Sequence, residues 1–268
     1  MLLSTAIVVG SLVVVFGVVI WRGAPSLSVE MLTQTPQGGY YLGREGGILN
    51  AIVGSLYLAG GATLLSFILS LMIILYLHGY ASKSWFAGTV RFSLDVLWGV
   101  PSIVLGAFVF IIMLYMRARV SLFWGIITIT ILELPIMTRA IDEAMKMVPH
   151  KLKEASYSLG STRLETVLNV MLRQALPGVL TAILLAFGRG IGDAASVIFT
   201  AGYTDSIPSS LFDPVATLPL AIFFQLGTPI PEVQQKAYAS GIILLVVVLL
   251  LSALSRFAAR KFTKFVTR

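Results

Sequence analysis

Cysteine is absent from the 268-residue chain, and histidine occurs only twice. The first absence removes thiolate metal sites, disulfide scaffolds and cysteine nucleophiles, and leaves the redox compartment undetermined. The second leaves His78 and His150 too isolated to suggest a metal centre. Charge is scarce too: 12% of residues are Asp, Glu, Lys or Arg, against about 25% in soluble domains. So few charges cannot coat a globule, and with 57% apolar residues and a mean hydropathy of +0.92 the main solvent is lipid. A phosphate-binding loop is also missing. That loop needs GxxxxGK followed by Ser or Thr, and the only Lys followed by either is Lys83, preceded by Ser82. The expectation is a membrane protein that is not an enzyme, with no cofactor in the chain.

What is present is a set of long apolar runs. A helix needs about 20 such residues to cross a core of about 30 Å, and six stretches qualify: residues 2–21, 51–77, 94–116, 121–138, 176–202 and 239–257. The first lacks a basic start and a small-residue cleavage site, so it reads as a retained span. Placing the N-terminus inside leaves thirteen Lys and Arg in cytoplasmic segments, five outside and Arg189 within a span. Positive charge is retained inside, so both termini are expected to be cytoplasmic. The net charge of +7 and pI near 9.8 reflect this orientation rather than nucleic-acid binding.

The fold class is therefore all-α, a polytopic membrane protein of about six transmembrane helices. Residues 1–46 hold the first helix and an outer loop, 47–260 the core, and 261–268 a basic cytoplasmic tail. Pro101 within the third span predicts a kink, serving either as a gate or in packing. Gly188 and Gly192 are predicted to support close helix packing, and Asp95 and Glu133 to lie at the cytoplasmic interface.

The longest inside segment, 139–175, reads as two short helices. Pro149 opens the first, with Leu152, Ala155 and Leu159 at helical spacing. Gly160 ends it, and Thr162 with Glu165 has capping-box spacing at the start of the second. Glu154-Ala155-Ser156, then Gly160, Val170 and Leu172, resembles the EAA coupling loop of ABC importer permeases. Ser156 replaces the pattern's second Ala, Arg173 stands where it has Pro, and a Leu-Pro pair follows at Leu176-Pro177. The resemblance implies that Glu154, Ala155 and Gly160 seat in a cleft of an ATPase subunit.

Further stretches resemble the phosphate-specific, PstA-type branch of that permease family. They are Gly46-Gly47-Ile48-Leu49-Asn50-Ala51-Ile52-Val53-Gly54-Ser55-Leu56, Gly99-Val100-Pro101-Ser102-Ile103-Val104-Leu105-Gly106 and Leu218-Pro219-Leu220. His78-Gly79 replaces the acidic residues usual there. The resemblance implies a prokaryotic inner-membrane protein that imports inorganic phosphate. Its partners would be a PstC-like second permease, two PstB-like ATP-binding subunits and a PstS-like external phosphate-binding protein.

Arg189 falls about 18 Å along a helix from Pro177, near mid-bilayer, where a charge is costly and functional by default. Arg139 ends the fourth span. Two guanidinium forks at different depths suit an anion path, and the family carries arginines in the contexts Leu134-Pro135-Ile136-Met137-Thr138-Arg139 and Arg189-Gly190-Ile191-Gly192-Asp193, usually with Glu for Asp193. The substrate path is thus assigned to Arg189, Asp193 and Arg139. The alternative reading of Arg189 and Asp193 is an internal ion pair, and that of Arg139 a positive-inside anchor. Transport of sulfate or molybdate, or an ion channel or ion-coupled carrier, are the alternatives.

Overall fold

The computed structural model describes residues 2–37, 45–81 and 84–263. Arg44 and Lys83, two of the residues used for orientation, lie outside the described residues, as do residues 264–268 of the basic tail. The long α-helices are α1 (Leu2–Gly23), α3 (Leu49–Gly79), α6 (Leu122–Lys146), α9 (Leu172–Ile191) and α11 (Pro231–Thr263). Between them come α2 (Val29–Thr33), α4 (Trp85–Gly99), α5 (Ser102–Tyr115), α7 (His150–Ser158), α8 (Arg163–Glu165) and α10 (Leu218–Leu226). A two-residue antiparallel ladder, β1 (Pro36–Gln37) with β2 (Glu45–Gly46), closes the loop before α3. Among the described residues, five helical stretches are long and apolar enough to cross a membrane, and α4 with α5 forms a sixth if the bent pair is one span.

α3 and α6 form the centre. Ala59, Ala62, Ser66 and Ser70 recur every three or four residues on the buried face of α3, and small side chains let helix backbones approach closely. Cross-helix hydrogen bonds then tie the pair. Thr63 donates its hydroxyl to Glu133 Oε1 at 3.2 Å, and Thr138 donates to Ser70 Oγ at 2.8 Å. Two apolar cores stack along this axis. The outer one packs Leu58, Leu122 and Ile129 against Val197, Ala201 and Val215. The inner one packs Ile74, Met137 and Met145 against Val167, Met171 and Val179.

Four expected spans differ in detail, the sixth by beginning at Pro231 rather than at residue 239, so that Lys236 lies within it. The third is broken at Pro101 rather than gently kinked: Pro101 caps α5, and α4 and α5 bend by 102°. The fourth runs to Lys146, two turns beyond Arg139, because Asp142 and Lys146 are anchored on neighbouring groups. The inter-helix segment of the expected coupling loop is correspondingly shorter than 139–175. The loop's second helix is not separate either. Arg163–Ile191 is one rod, with a π-helical turn at Thr166–Met171.

The fifth span stops at Ile191, so residues 192–202 do not continue it. They turn instead, despite being apolar, because their polar backbone has partners. Three N–H groups at the start of α6 would otherwise lack acceptors. Ser121 donates to the carbonyl of Thr200 at 3.0 Å, Leu122 to that of Asp213 at 2.8 Å and Phe123 to that of Leu211 at 2.7 Å. Irregular backbone at membrane depth is tolerated where protein satisfies it in this way.

Candidate functional site

Arg189 sits in the last turn of α9, where the negative end of the helix dipole favours a cation. Its neighbours Leu132 and Ile136 come from the middle of α6, so it lies at mid-span depth although it is near the end of its own helix. Its side chain, 52% exposed, enters a groove of about 290 Å³ whose other walls are Leu97, Trp98, Val100 and Leu185. One guanidinium in an apolar groove exerts its field through a poorly screened medium. Its ion pair with Asp193 is long, 4.0 Å from Nη2 to Oδ1. Asp193 is buried, and its Oδ2 accepts from the Ser196 N–H at 2.9 Å. That carboxylate holds the turn after α9 and leaves the guanidinium largely available.

Arg139 follows Ile136 by three positions on α6, so it lies near the same helix face, roughly 5 Å further along the axis. Arg189 and Arg139 nevertheless line separate cavities: Arg139 borders a small one with Leu77, Arg91, Leu94, Thr138 and Asp142. Arg139 is not a bare end-of-span anchor. Its Nη1 lies 3.4 Å from Asp95 Oδ1 on α4 and its Nε 3.5 Å from Glu143 Oε1. Asp95 is half exposed.

Glu133 departs from expectation. It is 0% exposed and sits midway along α6, not at an end, with Oε2 lacking a hydrogen-bond partner. Close packing occurs at Gly190 rather than at Gly188 or Gly192. A Cβ on Gly190 would collide with Glu133 Oε1 and come within 2.9 Å of Ile129, whereas Gly188 has open space and Gly192 meets only its own helix end.

A charged node was missed by reading the sequence. Asp142, with 3% of its side chain exposed, receives His78 Nε2 at 2.8 Å, Arg91 Nε at 3.0 Å and Lys146 Nζ at 2.8 Å. Its partners His78 and Arg91 are 64 and 51 residues away. Only the i,i+4 pair with Lys146 was available as a signal.

The segment expected to be a coupling loop is a helical hairpin. Pro149 precedes α7, and Gly160 adopts a φ of +83° that a side chain with a Cβ adopts poorly. Thr162 and Glu165 form the reciprocal cap of α8, the carboxylate accepting from the Thr162 N–H at 2.8 Å. Glu154 and Ala155 are exposed, and Glu154 pairs with His150 at 3.1 Å. The apolar side expected of α7 faces outward: Leu159 is 87% exposed, and the buried residue is Ser156, bonded to Thr166 at 2.9 Å. Leu164, on the second arm, is exposed as well, so the turn at Gly160 is flanked by exposed leucines; Met147, before α7, is also exposed.

Comparison with known proteins adds family information. Residues 70–267 match the family described as binding-protein-dependent transport system inner membrane component. The phosphate transport system permease protein PstA of Yersinia pestis is 35% identical over 242 residues, covering 90% of this chain and 81% of that protein. PstA of Haemophilus influenzae is 32% identical, covering 88% and 83%. Among solved structures, the MetNI methionine ABC transporter in inward-facing conformations matches with a TM-score of 0.62 at 21% identity, covering 82% of this chain and 96% of that one. A bacterial alginate ABC transporter, in complex with its alginate-bound periplasmic protein, matches with 0.60 at 15% identity, covering 98% and 95%. At these identities the two structures speak for the fold alone.

Proposed function

We infer function from kinship: this chain belongs to the family of binding-protein-dependent transport system inner membrane components, and it is a multi-pass permease subunit of an importer of inorganic phosphate. The observation that carries the reading is its likeness, along most of its length, to permeases named for phosphate transport. The Arg189 groove supports it chemically. A guanidinium stays charged and offers a planar fork matched to phosphate oxygens, and charge-assisted pairs of this kind are the stronger hydrogen bonds.

In this reading an anion entering from outside meets Arg189 at mid-depth and passes along α6 to Arg139. Asp193 holds the turn behind Arg189 and weakly biases its guanidinium. ATP is hydrolysed by partner subunits. The exposed hairpin, with Leu159, Leu164 and Glu154, is the surface on which a PstB-like ATP-binding subunit seats. A PstC-like permease completes the pathway, and a PstS-like protein delivers phosphate from outside. The break at Pro101 places Val100 in the groove wall, so a shift of α4 alters the groove.

The test is reconstitution of the chain with a second permease, two ATP-binding subunits and the external binding protein in vesicles. Labelled phosphate should enter only with ATP, and excess sulfate or molybdate should not compete. Competition by either would reassign the cargo. Transport by this chain without any ATPase would make it a channel or carrier.

A further inference from the structure

Two ion pairs join α4 to the inner half of α6, and they differ in kind. Arg91 of α4 meets Asp142 of α6, and one turn along, Asp95 of α4 meets Arg139 of α6. The first pair is built to last. Asp142 is buried, Arg91 reaches both its oxygens at 3.0 and 3.2 Å, and His78 and Lys146 occupy the remaining acceptor positions. The second pair is loose. Arg139 and Asp95 are 36% and 49% exposed, and their contacts are 3.4 and 3.5 Å. Exposed pairs of this geometry gain little over solvation.

We propose that Asp95 is a positioning residue for the inner end of the anion path, holding Arg139 until an arriving phosphate takes its place. This role presupposes that the chain is a phosphate permease. The exchange favours phosphate, because its oxygens engage a guanidinium through two parallel hydrogen bonds, where Asp95 presents long and partly solvated contacts. Glu143 also touches Arg139, at 3.5 Å, but it belongs to the same helix, so losing it moves nothing. Asp95 belongs to α4. Releasing it frees that helix to pivot on the buried Arg91–Asp142 pair, and Leu97 and Trp98, two and three residues further on, form part of the wall around Arg189. Loading of the inner arginine and loosening of the groove are one event.

The test uses the assembled transporter and Asp95→Asn, an exposed change that leaves the Arg91–Asp142 pair intact. ATP hydrolysis without binding protein should rise about two- to fivefold, the range an exposed ion pair supports, while phosphate moved per ATP falls. Arg139→Gln should raise hydrolysis similarly, and Glu143→Gln should not. The double variant Asp95→Arg with Arg139→Asp rebuilds the pair in reverse. It should return hydrolysis towards the parental rate yet leave uptake low, because the cation has moved to the other helix. Parental hydrolysis in Asp95→Asn, or full uptake in the swapped variant, would overturn the proposal. Hydrolysis reads the latch independently of cargo: a parental complex that hydrolyses ATP but moves no phosphate would sink the functional reading, while the hydrolysis of Asp95→Asn relative to that parent still decides whether Asp95 holds Arg139.

Discussion

Replacing Asp142 by Asn should release α4 from α6. Asp142 is the common partner of His78, Arg91 and Lys146, at 2.8 to 3.2 Å, with 3% of its side chain exposed. Removing one member of a fully buried pair costs about 3–5 kcal/mol, because the charge left behind is stranded. Here Arg91 and Lys146 are 25% and 41% exposed. They can turn towards water, and Asn still accepts one hydrogen bond, so the expected loss is about 1–3 kcal/mol, near that of a hydrogen bond to a charged group. That corresponds to about a 5- to 150-fold larger population with α4 detached. The chain has no cysteine, so Leu94→Cys provides a single thiol on the buried face of α4. Maleimide labelling of that thiol tracks the open population when reclosing is faster than reaction. Labelling should accelerate within that range in Asp142→Asn and stay at the parental rate in Glu143→Gln. An unchanged rate in Asp142→Asn would refute the assignment of Asp142 as the anchor of α4.

Gly160→Val should leave membrane insertion intact and uncouple ATP hydrolysis from transport. A Cβ there meets nothing, so the penalty is purely the left-handed backbone, about 1–2 kcal/mol; full ATP-driven uptake by the variant would exclude the hairpin from coupling. Gly190→Ala should lower the apparent Tm of the purified complex by overpacking against Glu133 and Ile129, a cost of about 1–3 kcal/mol. Adding Glu133→Ala should recover part of that loss, and no recovery would place the strain elsewhere.

Much of the fold was legible because the dominant forces act locally along the chain. Apolar runs of bilayer length mark α1, α3, α6 and α11 irrespective of their partners. The hairpin of Pro149, Gly160, Thr162 and Glu165 was legible because caps and a positive φ are set by residues a few positions apart. The end of α9 was not. Residues 192–202 are apolar enough to continue a helix, but they turn, with Asp193 accepting from the Ser196 N–H and the carbonyls of Thr200 and Ala201 serving the N–H groups of Ser121 and Val215. Glu133 was misplaced for a related reason. Its depth depends on how far α6 extends, and its partner Thr63 lies 70 residues away. In the candidate site the Arg189–Asp193 pair was legible because its members are one helical turn apart, but the Arg91–Asp142–His78 node and the Asp95 contact needed three helices in place. Ser156 was visible only as a departure from the coupling-loop pattern; its burial against Thr166 explains why a hydroxyl fits there.

The central claim is that Arg189 binds the transported anion through its fork rather than serving as half of a structural pair. The most direct measurement is ATP-dependent phosphate uptake by the reconstituted complex carrying Arg189→Lys, beside the neutral double variant Arg189→Gln with Asp193→Asn. Lys keeps the charge and loses the bidentate geometry, so Arg189→Lys should assemble normally and lose most uptake, and the neutral double variant should also fail to transport. A structural ion pair can be replaced by neutral residues at little cost. Normal phosphate uptake by Arg189→Gln with Asp193→Asn would therefore contradict the account.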